Sequence, residues 1–214
     1  MNKYVHLKNK AIEFRNKGMA LDDIVNHLAM SRTTVYYWIK DISISRTEKQ
    51  QKQVIKAARA QRTKYKTMRD DAYKQGIDEA NDMLKDRDMR DFVILYIGEG
   101  SRRDLGTIAV ANSNASVIKF VQTMFFKMTD KDLNYLIQYH VDQDLDKLKI
   151  FWSKVLKIDK EKIKLQRKSN SGKMAKRQWR SEYGVLTIRF YDTYLKCRLN
   201  AWMDTLRNEW LIDE

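Results

Sequence analysis

GMALDDIVNHLAMSRTTVYYWI, residues Gly18–Ile39, reads as two short helical segments around a polar turn. Ala11–Lys17 before it reads as the end of a first helix, which Gly18 stops in the manner of a left-handed cap. Leu21–Met30 follows as a second helix with Ile24 and Leu28 on one face. Ser31 suits the N-cap of a third helix, Arg32–Ile42, because its hydroxyl accepts from a backbone N–H that the helix leaves free. Val35, Trp38 and Ile39 form the apolar stripe of that helix and are predicted to pack on Ile24 and Leu28. The opposite face presents Arg32, Thr33, Tyr36, Tyr37 and Lys40.

The whole chain, 214 residues, is long enough for one large domain or two small ones with a real core. Its 43% hydrophobic content argues against wholesale disorder. Lys and Arg number 42 against 28 Asp and Glu, a net +14. That balance points to a polyanionic partner, nucleic acid first and an anionic membrane surface second. No apolar run approaches the roughly 18 residues that a bilayer span needs, so no membrane partner is expected. The first residues, MNKYVH, lack a signal-peptide core, and Cys197 is the only cysteine. Both fit a cytoplasmic protein kept in a reducing compartment, without an internal disulfide.

The Gly18–Ile39 segment resembles the resolvase-type and related helix-turn-helix modules, whose recognition helix often opens Ser-Arg-x-Thr-Val, as Ser31–Val35 does here. The resemblance implies a DNA reader, expected to span residues 1–45. It places Arg32, Thr33 and Tyr37 against base edges and Thr34 and Lys40 against phosphates. A trihelical packing module without ligand would show the same apolar pattern. The cap, the spacing and the basic charge favour DNA.

Residues 46–88 are predicted to form a long basic connecting helix, rich in Lys, Arg, Gln and Ala and free of glycine before Gly76. From Lys52 to Arg69 there are seven basic residues and no acidic one. Steps of three and four align Lys52, Lys56, Arg59, Arg62 and Lys66 along one side. Such a stripe suits sequence-independent contact with phosphates. A solvated spacer, or a thin coiled-coil seam through Val54, Ala58, Tyr65, Met68 and Ala72, are the other readings.

Beyond residue 88 the texture changes to short strands and amphipathic helices, predicting an α+β domain over 89–214 with helices on one face of an antiparallel sheet. Helices are expected at Asp91–Gly98, Ala115–Lys127, Leu145–Leu156 and Tyr194–Leu211, the last burying Leu195, Leu199, Trp202, Leu206 and Trp210. Strands are expected at Thr107–Ala111, Tyr135–His140, Ile163–Lys168 and Val185–Tyr191, the last two paired. Alternation sends Lys162, Lys164, Gln166 and Lys168 to one face, with Thr187, Arg189 and Tyr191, and Gln138 and His140 can join them. Lysines on a strand often serve only to block edge pairing. Agreement among three strands makes a sheet laid on DNA the better explanation. The loop Ser169–Arg180 adds Lys173, Lys176, Arg177 and Arg180.

ILYIGEGS, Ile94–Ser101, is an apolar helix ending in an acid bracketed by glycines. With the following strand and Asn112-Ser113-Asn114, it resembles the LAGLIDADG homing-endonuclease family, where variants ending Gly-Glu-Gly are common. YHVDQD, KIFW and TIRFYDTYLKCRL further resemble a bacterial branch that joins this domain to an N-terminal helix-turn-helix. The likeness covers roughly Met89–Leu211 in element order. It implies that the motif helix packs against a second copy and that its terminal acid, matched here by Glu99, binds a catalytic divalent metal. Mg2+ would then position water and offset charge on the phosphate. With a single such motif, a homodimer would supply the second acid. The basic residue that such nucleases place near the phosphates has no clear match; Lys168 and Arg189 are the candidates. Relatives that keep the fold only as a DNA-binding platform regulate transcription.

Asp142-Gln-Asp144-Leu-Asp146 begins like a calcium loop, but Lys147 stands where glycine is needed and Ser153 where the bidentate Glu belongs. Asp142 or Asp144 is better read as a cap for the following helix. Ser171–Met174 is no phosphate loop, and His6, His27 and His140 with one cysteine give no zinc spacing. The favoured expectation is a homodimeric, site-specific double-stranded DNA-binding regulator of transcription without a cofactor. The alternative is an Mg2+-dependent homing-type endonuclease with Glu99 as catalytic residue and metal ligand. An RNA-binding module is a third option.

Overall fold

The computed structural model describes residues 3–43, 48–102, 104–168 and 181–211. The chain divides into two compact units, Met1–Lys64 and Tyr65–Glu214.

In the first unit, α1 (Lys3–Asn16), α2 (Leu21–Leu28) and α3 (Arg32–Ile39) close around a small core of Ala11, Ile24, Val35 and Ile39. Leu28 and Trp38 pack at its margin. Gly18 takes the left-handed conformation after α1, with φ 89°. Ala29 takes it after α2, at φ 48°, so α2 stops short of the expected Met30. Ser31 caps α3, its hydroxyl accepting from the Thr34 N–H at 3.3 Å. That helix ends at Ile39, earlier than expected, where the Arg15 guanidinium reaches over to donate to the Ile42 carbonyl at 3.4 Å. Lys40–Asp41 thus turns back toward α1 and does not prolong α3.

The helix α4 (Glu48–Lys85) begins in the first unit and ends in the second. Of its apolar seam only Ala72 is buried; Val54, Ala58, Tyr65 and Met68 are exposed. In the second unit follow α5 (Arg87–Glu99), β1 (Thr107–Asn112), α6 (Ala115–Met128), β2 (Asn134–Tyr139) and α7 (Leu145–Leu156). A short 3-10 turn at Lys160–Lys162, β3 (Ile163–Arg167), β4 (Val185–Tyr191) and α8 (Thr193–Leu211) complete it. Asp86, Asn114 and Asp144 cap α5, α6 and α7 through their side-chain oxygens, which satisfies donors the helices leave open.

The four strands lie in the order β1-β4-β2-β3. β4 runs antiparallel to both β1 and β2, whereas β2 and β3 are parallel. The sheet is therefore mixed and not antiparallel, and Ile163–Arg167 pairs with β2, not with β4. The cause is α7: a helix between two strands returns the chain to the starting end, which makes the next strand parallel. Phe92, Tyr96, Ile118, Phe125, Trp152 and Trp202 fill the core against Ile108, Ile137, Ile163, Leu186, Ile188 and Phe190 of the sheet. Phe125 meets Phe190 edge-on at 4.9 Å between ring centres. Trp210, expected inside, is 48% exposed, because α8 runs past the core at its end.

The second half of α4 crosses α8 closely. A Cβ placed on Gly76 would sit 2.7 Å from the Arg198 Cα and 2.8 Å from the Ala201 Cβ. Arg198 and Trp202 of α8 both donate to the carboxylate of Glu79, one turn along α4. Gly76→Leu is expected to push the two helices apart and lower stability by about 1–3 kcal/mol in urea melts. An unchanged midpoint would show that the crossing yields without strain.

Candidate functional site

Three groups of side chains stand out once the elements are in place. The first is the outer face of α3. Arg32, Thr33, Tyr36, Tyr37 and Lys40 are all exposed there. Tyr36 and Tyr37 meet edge to face at 5.7 Å, and the Lys40 ammonium lies 5.7 Å from the Tyr37 ring centre. Arg32 Nε donates to Asp22 Oδ1 at 2.8 Å, a pair so open to water that its net stabilisation is small. Thr34 differs from its neighbours: it is half-buried, and its hydroxyl is within 2.7 Å of the capping Ser31 hydroxyl. On α4, Lys52, Lys56, Arg59 and Arg62 are exposed along one side of a continuous helix.

The second group is the sheet face turned away from the helices. The register sets Arg189 of β4 between Ala109 and Asn134, and Thr187 between Ala111 and Leu136. Lys164 of β3 stands beside Leu136, and Gln166 beside Gln138. Asn134, Gln138, Lys164, Gln166, Arg189 and Tyr191 are exposed, whereas Ala109 alone among the strand residues of this face is buried. No carboxylate occupies a strand position on it. Lys162 and Lys168 flank β3 and are exposed, Lys162 in the 3-10 turn. His140 does not join this face; it follows the end of β2 and is only 7% exposed. Lys173, Lys176, Arg177 and Arg180 lie outside the described residues.

The third group surrounds the end of α5. Glu99 is the helix's last residue and is exposed. Its two glycines are not equivalent. A Cβ on Gly100 would lie 2.5 Å from the Tyr96 ring, whereas one on Gly98 would meet no described neighbour within 4 Å. Gly100 forms a bridge to Val110, and the Ser101 N–H donates to the Ala109 carbonyl at 2.8 Å, so the chain after Glu99 joins the outer edge of β1. Among the described residues no cluster of three or more His, Cys, Asp or Glu could hold a metal ion. Glu99 thus supplies one carboxylate and not a complete site.

Behind this turn lies a residue that the sequence pattern does not single out. Lys196 of α8 is 3% exposed. Its ammonium donates to the Tyr96 hydroxyl and to the Ser101 carbonyl, each at 2.6 Å. The Tyr96 hydroxyl in turn donates to the Ser101 carbonyl at 3.1 Å. Burial pushes the Tyr96 hydroxyl up to about 12 and the Lys196 ammonium down to about 8. Only its place beside Leu195 on the buried edge of α8 hints at this in the sequence.

No family model matches the chain, and neither does any curated protein or solved structure. Geometry and residue chemistry therefore carry the functional argument. Among the described residues no helix is long and apolar enough to cross a membrane.

Lys196 ordinarily titrates near 10.5 and is held near 8 when folded. Below about pH 8 both states are protonated and burial of the ammonium costs stability in full. Between the two values the unfolded chain binds the extra proton, so stability rises with pH. Lys196→Met is expected to remove this rise and to stabilise the fold near pH 7 by about 1–4 kcal/mol. Parallel urea melts at pH 7 and pH 10 check it; identical pH dependence in both proteins would mean that folding does not lower the Lys196 pKa.

Proposed function

We propose that the chain is a site-specific double-stranded DNA-binding protein, a regulator of transcription that works as a homodimer. In this reading the first unit acts as the helix-turn-helix that α3's cap and spacing resemble, with Arg32, Thr33 and Tyr37 directed to base edges. The second unit acts as a LAGLIDADG-like platform that lays its open sheet face on a further stretch of duplex. The observation that carries the reading is Arg189. Lysines on β3, an edge strand, have an ordinary explanation in blocking edge pairing. β4 is a central strand with both edges paired, so that explanation does not reach Arg189. An exposed guanidinium there, among amides and hydroxyls and without a carboxylate, is what phosphate contact requires.

The end of α5 favours a second reading, a homing-type endonuclease. Glu99 is exposed to solvent beside Gly98, which no described residue packs against. One carboxylate per chain does not hold a Mg2+ ion by itself, so this reading needs the two-fold partner. Mg2+, if bound, would supply electrophilic stabilisation of the phosphate and a positioned water. Glu99 would then be its ligand, and Lys164 and Arg189 would hold the duplex.

Fragments of DNA from the protein's own source, selected on the protein in EDTA, then given Mg2+ and sequenced at their ends, separate the two. Tight selection of defined fragments without breaks, equal for Glu99→Gln, is expected for the regulator. Breaks at one site that vanish in Glu99→Gln would establish the nuclease instead. Arg32→Ala with Tyr37→Ala is expected to erase site preference, at about 1–3 kcal/mol for each base no longer read. Replacing Lys162, Lys164 and Lys168 with Gln is expected to flatten the salt dependence by about 0.9 for each phosphate no longer neutralised. An unaltered slope would remove the sheet from the interface.

For the homodimer, α5 offers the seam on which Ile94 and Gly98 are exposed. Gly98→Leu should leave the monomer folded, since its side chain would enter open space, yet sedimentation should shift from dimer to monomer. A dimer that survives the substitution would move the interface elsewhere.

A further inference from the structure

A cavity of about 390 Å³ opens beside α8, lined in part by Tyr73, Arg102, Asp104, Lys196, Asp204 and Arg207. Its charges are unevenly committed. Asp204 accepts from the Tyr73 hydroxyl at 2.9 Å and from Arg207 at 3.0 Å. Asp104 accepts from the backbone N–H groups of Gly106, at 3.0 Å, and Thr107, closing the turn before β1. Both carboxylates therefore already have donors.

The cations do not balance in the same way. Lys196, nearly sealed from water, has two neutral oxygens as acceptors and no described carboxylate in an ion pair with it, although the Asp104 charge acts on it without direct contact. An ammonium has three N–H donors, so one remains for the cavity. Arg102, exposed at the rim, donates to the Ile97 carbonyl through one nitrogen and keeps its other donors. A buried cation without a carboxylate in direct contact gains from an anion that reaches its free donor.

We propose that this cavity is a binding site for a small oxyanion-bearing molecule, a phosphate monoester in preference to a carboxylate, with one oxygen on Lys196 and another on Arg102. Arg102, Lys196 and Arg207 outnumber Asp104 and Asp204 around the cavity, and this positive balance favours a dianion over a monoanion. The volume exceeds that of phosphate alone, leaving room for a small organic group toward Leu105 and Met203. The site is separate from the open sheet face and independent of the DNA-binding reading, so it is tested without nucleic acid.

The full chain, freed of nucleic acid, is titrated with inorganic phosphate at constant ionic strength balanced by chloride, and the thermal midpoint is followed. A saturable rise of a few degrees is expected at millimolar phosphate, as for any ligand that binds only the folded state. Arg102→Gln, on the surface and harmless to folding, should weaken the apparent affinity at least tenfold. Lys196→Met should abolish the response, whatever its effect on stability alone. Lys52→Gln with Arg59→Gln controls for the basic surface and should respond as the wild type does. Acetate should act at least tenfold more weakly than phosphate; an equal effect would overturn the preference for a dianion. No saturable rise in the wild type, or the same rise in Arg102→Gln, would overturn the site itself.

Discussion

The second unit depends on β4. This strand arrives near the end of the chain and inserts between β1 and β2, hydrogen-bonded to both. Until it does, β1 has only the Gly100 bridge for company, and β2 and β3 form a two-stranded parallel pair. Isolated two-stranded structures are marginal in water. Leu186, Ile188 and Phe190 of β4 then complete the core with Ile108, Val110, Tyr135 and Ile137. The same strand, through its alternate residues, sets Thr187, Arg189 and Tyr191 on the outer face. Core and candidate surface are thus two sides of one seven-residue element. Any change that weakens the core side of β4 disturbs the polar side as well.

Much of this is legible in the sequence, for physical reasons that can be named. Leu186–Phe190 alternates apolar and polar residues, so period two declares both the strand and its two faces. Leu145–Leu156 carries an Asp cap before it and apolar residues at helical spacing, and the helix has those very bounds. The capped turn at Ser31 is equally plain. Strand partners are not, because pairing is long-range and alternation says only that a strand has a buried face. The parallel pair of β2 and β3 follows from the helix between them, since a hairpin has no room for α7.

Lys196 shows where pattern reading stops. A helix that buries one face declares a stripe, and Leu195, Leu199, Trp202 and Leu206 are that stripe on α8. But α8 has the sheet core on one side and the second half of α4 on another, joined through Gly76 and the Glu79 carboxylate. The α4 crossing widens the buried arc to Ala201, and the end of α5 with the turn after it widens it to Lys196. A lysine beside a stripe reads as a solvated flank unless the turn that covers it is known. His140 departs from expectation for a related reason. It follows β2's last residue, where the strand's alternation no longer governs which side a residue takes.

The two glycines around Glu99 carry different weights as evidence about what lies outside the chain. Gly100 is accounted for internally, since any larger residue would meet the Tyr96 ring and carbonyl. Gly98 has no such account. It sits in the last turn of α5, where alanine would favour the helix by about 1 kcal/mol, and no described residue enters the space over it. Its backbone is in the helix and does not take a left-handed conformation that would demand glycine. In the dimer proposed above, a glycine that weakens its own helix and meets no described residue would admit a close approach from the partner chain. The exposed Ile94 one turn earlier would give that approach an apolar anchor. The seam so defined runs directly to Glu99, and a two-fold partner would bring its own Glu99 alongside. The argument for a dimer and the argument for a shared acidic site therefore rest on the same four-residue step of α5.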